Sequence, residues 1–197
     1  VPIRPTTHYI MGGIDVIDYK TCATKVPGLF ASGEASCVSI HGANRLGGNS
    51  LADGVVFGRV SGKGAADYAE SHQQVDCDAE IEAARKAWED KFTEVTSREG
   101  GRPVTEIRDA LANAMWNKCG IFRDEQRMQE ALDEVNKLME EYKTCYVGDT
   151  ERTYNMAFVN YVEIGSMLTV AKAIVSGALW RKESRGAHTR DDSQTRD

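Results

Sequence analysis

One guanidinium stands inside a run of small residues. The stretch HGANRLGGNSLADGVVFGR, His41 to Arg59, holds Arg45 just ahead of a helix-like pattern. A guanidinium presents a planar fork of N–H donors that fits a carboxylate or phosphate with two parallel hydrogen bonds. A helix start beside it adds roughly half a positive charge through its unpaired N–H groups. Two readings stand: a surface turn with a solvated charge, or an anion site made by Arg45 and the helix start. His8, ahead of the Met11-Gly12-Gly13 turn, is either a hydrogen-bonded structural histidine or a ligand-facing one. His41 opens the glycine loop and is ambiguous in the same way, while His72 lies in a polar stretch and reads as solvated. Glu34 follows Gly33 at the end of an expected strand, where a carboxylate can accept hydrogen bonds from a ribose or polyol. No G-x-S-x-G elbow, metal cluster or G-x-G-x-x-G fingerprint completes a catalytic set.

The elements that must hold these residues fall into two halves. Most of the chain's 18 glycines fall before residue 65, in a region of short apolar stretches. HYIMGGIDVIDYK reads as strand, glycine turn and strand, with Ile14 and Val16 alternating against Asp15 and Asp18. Val26-Pro27-Gly28 is a turn signal, and Leu29-Phe30-Ala31 a short buried strand. Asn49 or Ser50 can cap a helix beginning near Leu51, and Ser50 with Asp53 fits the S-x-x-[DE] capping pattern. Val55, Val56 and Val60 give that helix an apolar side, and Gly54, Gly58, Gly62 and Gly64 suggest close approach of a neighbouring backbone. Beyond residue 70 the pattern turns helical. Helices are expected over 78–92 (Ile81, Ala84, Trp88, Phe92), 104–118 (Ile107, Leu111, Ala114, Met115), 124–142 (Met128, Leu132, Val135, Leu138, Met139) and 151–179. Such stripes build a three- to four-helix bundle core rather than a cofactor box. The ending RKESRGAHTRDDSQTRD reads as a polar loop.

Bulk properties exclude several classes. The net charge is −6, without a basic stripe, so nucleic acid is not a partner. Five scattered cysteines without C-x-x-C spacing argue against a disulfide framework and a zinc site. The apolar runs fall short of the roughly 20 residues that a membrane helix needs. No signal-peptide pattern opens the chain, which starts on VPIRPTTHYIMGG without Met and reads as an internal piece.

HYIMGGI, VPGLFASGEASCVSIHGANRLGGNSLADGVVFGR and RKESRGAH together resemble the flavoprotein subunit of succinate dehydrogenase and fumarate reductase, in order from about residue 6 to residue 190. L-aspartate oxidase, a soluble flavoprotein and the alternative, shares the HGANR core but differs after the arginine, where this chain has LGGNSL. The resemblance implies the carboxyl-terminal part of a larger subunit. Residues 1–70 would be an α/β remnant of an FAD-binding domain of the two-dinucleotide-binding type, and 71–197 an all-α helical bundle domain. It implies FAD as cofactor, hydride transfer between flavin N5 and succinate or fumarate, and electrons passed to an iron–sulfur subunit. His8 and Arg45 match the residues that bind the dicarboxylate substrate. Glu34, Asn49, Ser50 and Leu51 match FAD-binding positions, the Ser50–Leu51 backbone lying near the pyrimidine end of the flavin. The dinucleotide fingerprint, the histidine linked to flavin and the proton-shuttling arginine would lie upstream, so no catalytic residue is assigned within this chain, and alone it would be inactive or only an interaction module. Arg181, Lys182, Arg185 and His188 would serve either iron–sulfur docking or packing within the helical domain. The complex would be peripheral on the cytoplasmic face of the inner membrane or the mitochondrial matrix side, reaching anchor subunits indirectly.

Overall fold

The computed structural model describes residues 8–73 and 75–195. Residues 6 and 7, where the resemblance begins, and the last two residues of the polar ending lie outside the described residues. The chain forms two compact units, Val1–Asp76 with Arg185–Ala187, and Cys77–Ser184 with His188–Asp197.

In the first unit, strand β1 (Ile14–Asp18) pairs antiparallel with β2 (Ala23–Thr24) and parallel with β3 (Ser36–Cys37). The expected strand ahead of the Gly12-Gly13 turn does not form, and residues 8–13 run as an irregular segment. Leu29-Phe30-Ala31 is likewise no regular strand: only Phe30 makes an isolated bridge, to Ala23, and Leu29 is exposed. A 3-10 turn, Gly33–Ala35, leads into β3. Helix α1 (Asn49–Ser71) covers a small core of Val16, Cys22, Ala31 and Val38 with Phe57 and Val60. Its buried face runs through Asp53, Phe57, Val60 and Gly64, one helical stripe. Val55 and Val56, expected on that side, are exposed instead. Of the four glycines read as close-approach positions, Gly64 is one: a Cβ there would come within 2.5 Å of the Thr21 carbonyl oxygen. At Gly54, Gly58 and Gly62 it would meet nothing within 4 Å.

The second unit is a helical bundle of α2 (Asp78–Thr96), α3 (Val104–Lys118), α4 (Glu125–Tyr142) and α5 (Met156–Trp180). Val104, Ile107 and Leu111 of α3 meet Val135 and Leu138 of α4 and Tyr161, Ile164 and Leu168 of α5 in one cluster. A second cluster joins Cys119, Met128, Ala131, Val175 and Ala178. Helix α5 starts five residues later than expected because Asn155 caps it, its side-chain oxygen accepting the Phe158 N–H at 2.7 Å. The helix runs unbroken through Gly165, where the Tyr142 hydroxyl fills the space a side chain would take and donates to the Tyr161 carbonyl (2.8 Å). By length and composition α5 is apolar enough to cross a membrane, which corrects the reading of short apolar runs; Tyr161, Ile164, Leu168, Ala171, Val175 and Ala178 bury one face of it in the bundle. The α2 stripe is also corrected, since Ile81 and Trp88 are exposed and only Val95 and Thr96 are buried.

The polar ending is not a solvated loop. Strand β5 (Thr189–Arg190) pairs in parallel with β4 (Phe122–Arg123), and Glu183, His188 and Arg190 are buried. Arg190 Nε and Nη2 donate to the two oxygens of Asp192 (2.8 and 2.7 Å), and Nη1 to the Arg181 carbonyl (3.0 Å). Asp192 also accepts the Glu125 N–H at the start of α4 (2.8 Å). These contacts fit the packing role rather than a free docking surface for His188, while Arg181 and Lys182 remain exposed.

Candidate substrate and flavin site

The site lies in the first unit and is built on the irregular segment 8–10. Regular pairing is absent there, so this segment's geometry depends on what touches its side chains and amides. Glu34, on the 3-10 turn, accepts the Ile10 N–H at 3.3 Å. Arg45 sets its guanidinium carbon 4.6 Å from the centroid of the Tyr9 ring, a cation–π stack. Two of the residues singled out in the sequence are thus brought against the neighbours of a third, His8, which is itself exposed.

Helix α1 begins at Asn49, not Leu51, with Gly48 as N-cap at a φ of +82°. That left-handed conformation suits glycine and carries no side-chain cap bond, so the capping pattern read for Ser50 and Asp53 is not used. The reason is that Asp53 points the other way. It is 2% exposed, and its Oδ2 lies 3.0 Å from His41 Nε2. The Tyr9 hydroxyl is 3.2 Å from the same nitrogen, and the Tyr9 and His41 rings meet edge to face. Burial first, then the charge of Asp53, pushes the Tyr9 phenol above its ordinary range and keeps it protonated.

At the helix start, Asn49 and Leu51 donate their N–H groups to Leu46 and Gly48 carbonyls (both 3.1 Å), while the Leu51 side chain is exposed. Gly47 is outside the left-handed region, and a Cβ there would meet nothing within 4 Å. Neither backbone strain nor packing among the described residues requires a glycine at that point. A bare backbone beside an uncapped helix N-terminus does fit a flat, anionic group such as a flavin pyrimidine.

The sequence singled out His8, Glu34 and Arg45 but passed over Tyr9 and misread Asp53. A signal for Asp53 was present: it stands at helical spacing from Phe57, Val60 and Gly64, a carboxylate on the buried stripe, where it needs a partner.

Two family models match: "Fumarate reductase flavoprotein C-term" over residues 108–197, and "FAD binding domain" over residues 1–51. The flavoprotein subunit of an 8-methylmenaquinol:fumarate reductase from Wolinella succinogenes is 43% identical across 100% of this chain and 32% of its own length. A fumarate reductase flavoprotein subunit from Haemophilus influenzae is 44% identical with the same coverage. The chain belongs to the fumarate reductase and succinate dehydrogenase flavoproteins. A solved Escherichia coli quinol fumarate reductase chain superposes with a TM-score of 0.90 at 41% identity, covering all of this chain and 34% of that one. The fold is accordingly an FAD-binding remnant followed by a helical domain, and FAD is the cofactor. The chain spans about a third of the length of the curated relatives it matches.

Proposed function

We propose that this chain supplies the substrate clamp and part of the flavin cradle of a subunit that interconverts fumarate and succinate. The observation that carries this reading is the stack of Arg45 on Tyr9 (4.6 Å), which joins the glycine loop to the segment bearing His8. A C4 dicarboxylate carries two negative charges, so its binding needs fixed cationic and hydrogen-bonding partners. Arg45 offers a two-pronged fork for one carboxylate, and His8 a ring N–H for the other. Polarising one carboxylate of fumarate favours hydride addition, because negative charge develops there in the transition state.

When bound, FAD supplies the hydride chemistry at N5. Glu34, Asn49, Ser50 and Leu51 would hold it, with the α1 start placed to favour negative charge at the pyrimidine end. Residues 1–70 would then form the carboxyl-terminal part of the FAD-binding domain and 71–197 the helical domain. Electrons would leave to an iron–sulfur subunit of a complex on a membrane face, since the matched relatives are subunits of quinol- or menaquinol-linked reductases.

The test is Arg45→Lys in the complete, FAD-loaded subunit. A point charge cannot replace a bidentate fork, so succinate oxidation with an artificial acceptor should fall by about 100-fold or more in kcat/KM, the scale of losing a charge-assisted hydrogen-bond pair. Turnover within about twofold of the wild type would refute the clamp.

A further inference from the structure

We propose that Asp53, His41 and Tyr9 form a buried positioning array that fixes the guanidinium of Arg45 in the plane needed to receive a carboxylate. The inference rests on the reading of Arg45 as the dicarboxylate clamp, and it assigns a role to three residues that do not themselves touch the substrate.

The array runs outward from the helix. Asp53 is 2% exposed and His41 10% in their side chains, with 3.0 Å between Oδ2 and Nε2. A carboxylate oxygen accepts, so His41 Nε2 turns its N–H toward Asp53 Oδ2, with the Tyr9 oxygen 3.2 Å from the same nitrogen. Tyr9 stays protonated, so its ring is neutral and held at two points, the hydroxyl against His41 Nε2 and the ring edge against the His41 ring. A ring so held presents one face to Arg45.

Arg45 has little else to orient it. Its Nη1 donates to the Leu46 carbonyl at 3.3 Å, and its buried Nε has no partner among the described residues. The stack on Tyr9 therefore sets the plane of the fork. His41 Nδ1 and Asp53 Oδ1 are likewise buried and without partners among the described residues. Buried polar groups left in that state destabilise a fold, and apolar side chains of the same shape would not. The network ends on the Tyr9 ring against which the guanidinium lies.

The experiment uses the complete FAD-loaded subunit and four variants: His41→Leu, His41→Gln, Tyr9→Phe and Arg45→Lys. Steady-state KM for succinate is measured with kcat. Affinity for malonate, a dicarboxylate without the two-carbon unit that exchanges hydride, is measured by its change to the flavin spectrum. A fixed cation–π stack is worth a factor of roughly 2 to 30 in binding. His41→Leu should raise KM and the malonate Kd about tenfold. His41→Gln places an amide N–H near the Nε2 position and should recover most of the loss. Tyr9→Phe keeps the stacking face but frees the ring, and should raise both constants by about three- to fivefold. Unchanged malonate affinity in His41→Leu and Tyr9→Phe would overturn the array. So would an equal loss in His41→Leu and His41→Gln, the mark of a merely structural role. If His41→Leu fails to hold flavin, Tyr9→Phe decides alone. Weak malonate binding in Arg45→Lys with unchanged binding in the array variants would sink the array and leave the clamp standing. Unchanged binding in Arg45→Lys would sink the clamp itself.

Discussion

At Gly64 the absence of a side chain lets α1 settle against Thr21, whose carbonyl oxygen would lie 2.5 Å from any Cβ. Gly62, two residues earlier on the same helix, faces open space. Helix propensity alone favours alanine over glycine by about 1 kcal/mol at either position. Gly62→Ala should therefore raise the stability of the chain by up to about 1 kcal/mol. Gly64→Ala should lower it by about 1–3 kcal/mol, because backbone must move to admit the methyl. Denaturant midpoints of the two variants check this, and equal shifts would contradict the packing described. The same helix shows what residues disclose and conceal in a sequence. Arg45 and His8 could be singled out because each sits in a short motif that carries the family resemblance, while their residue types alone left two readings open. Tyr9 was not, because a lone aromatic beside a histidine has no spacing that announces a stack. Asp53 was misread because Ser50 and Asp53 satisfy a capping spacing that the left-handed Gly48 makes unnecessary.

Among elements, α3 and α4 were legible almost to their ends, since their buried positions recur at strict helical spacing: Ile107, Leu111 and Ala114, then Met128, Val135 and Leu138. Helix α2 shows the limit of that signal, because periodicity marks a face without saying what covers it, and Ile81 and Trp88 are exposed. The ending from residue 181 was read as loop on composition alone. Composition cannot reveal that its charges are paired and buried across β4 and β5. The pairing fixes protonation states. His188 Nδ1 lies 2.9 Å from Arg123 Nη1 and so accepts, leaving Nε2–H for the Arg181 carbonyl (3.3 Å). Burial, ahead of the nearby arginines, pushes the His188 imidazolium to titrate below its ordinary range. The hydrogen-bonded Arg190 guanidinium holds the Asp192 carboxyl far below the usual carboxylate range. For His188 the unfolded chain binds a proton first on acidification, so stability is full above about pH 6.5 and declines as pH falls below it. For Asp192 the contribution is full above about pH 4 and is lost only below that. Denaturant midpoints should thus fall between pH 7 and pH 5. His188→Asn, whose carbonyl can still accept from Arg123, should flatten that slope, and an unchanged slope would contradict the burial of a neutral imidazole.

The whole molecule joins a glycine-rich unit that carries the proposed recognition residues to a helical unit that carries most of the buried apolar surface. Hydrophobic period made the bundle legible, and local motifs carried the resemblance of the glycine-rich unit. The small sheet was legible only in part, since its strands β2 and β3 are two residues long and have no period to read. Family membership rests on the match of all of this chain to about a third of each relative's length, so activity belongs to the complete subunit. The most direct measurement is substrate choice by that subunit, loaded with FAD and assayed with artificial electron carriers. Reduction of fumarate and oxidation of succinate, with malonate competing and L-aspartate not oxidised, is the predicted result. Oxidation of L-aspartate without succinate oxidation would contradict the claim that the subunit interconverts fumarate and succinate.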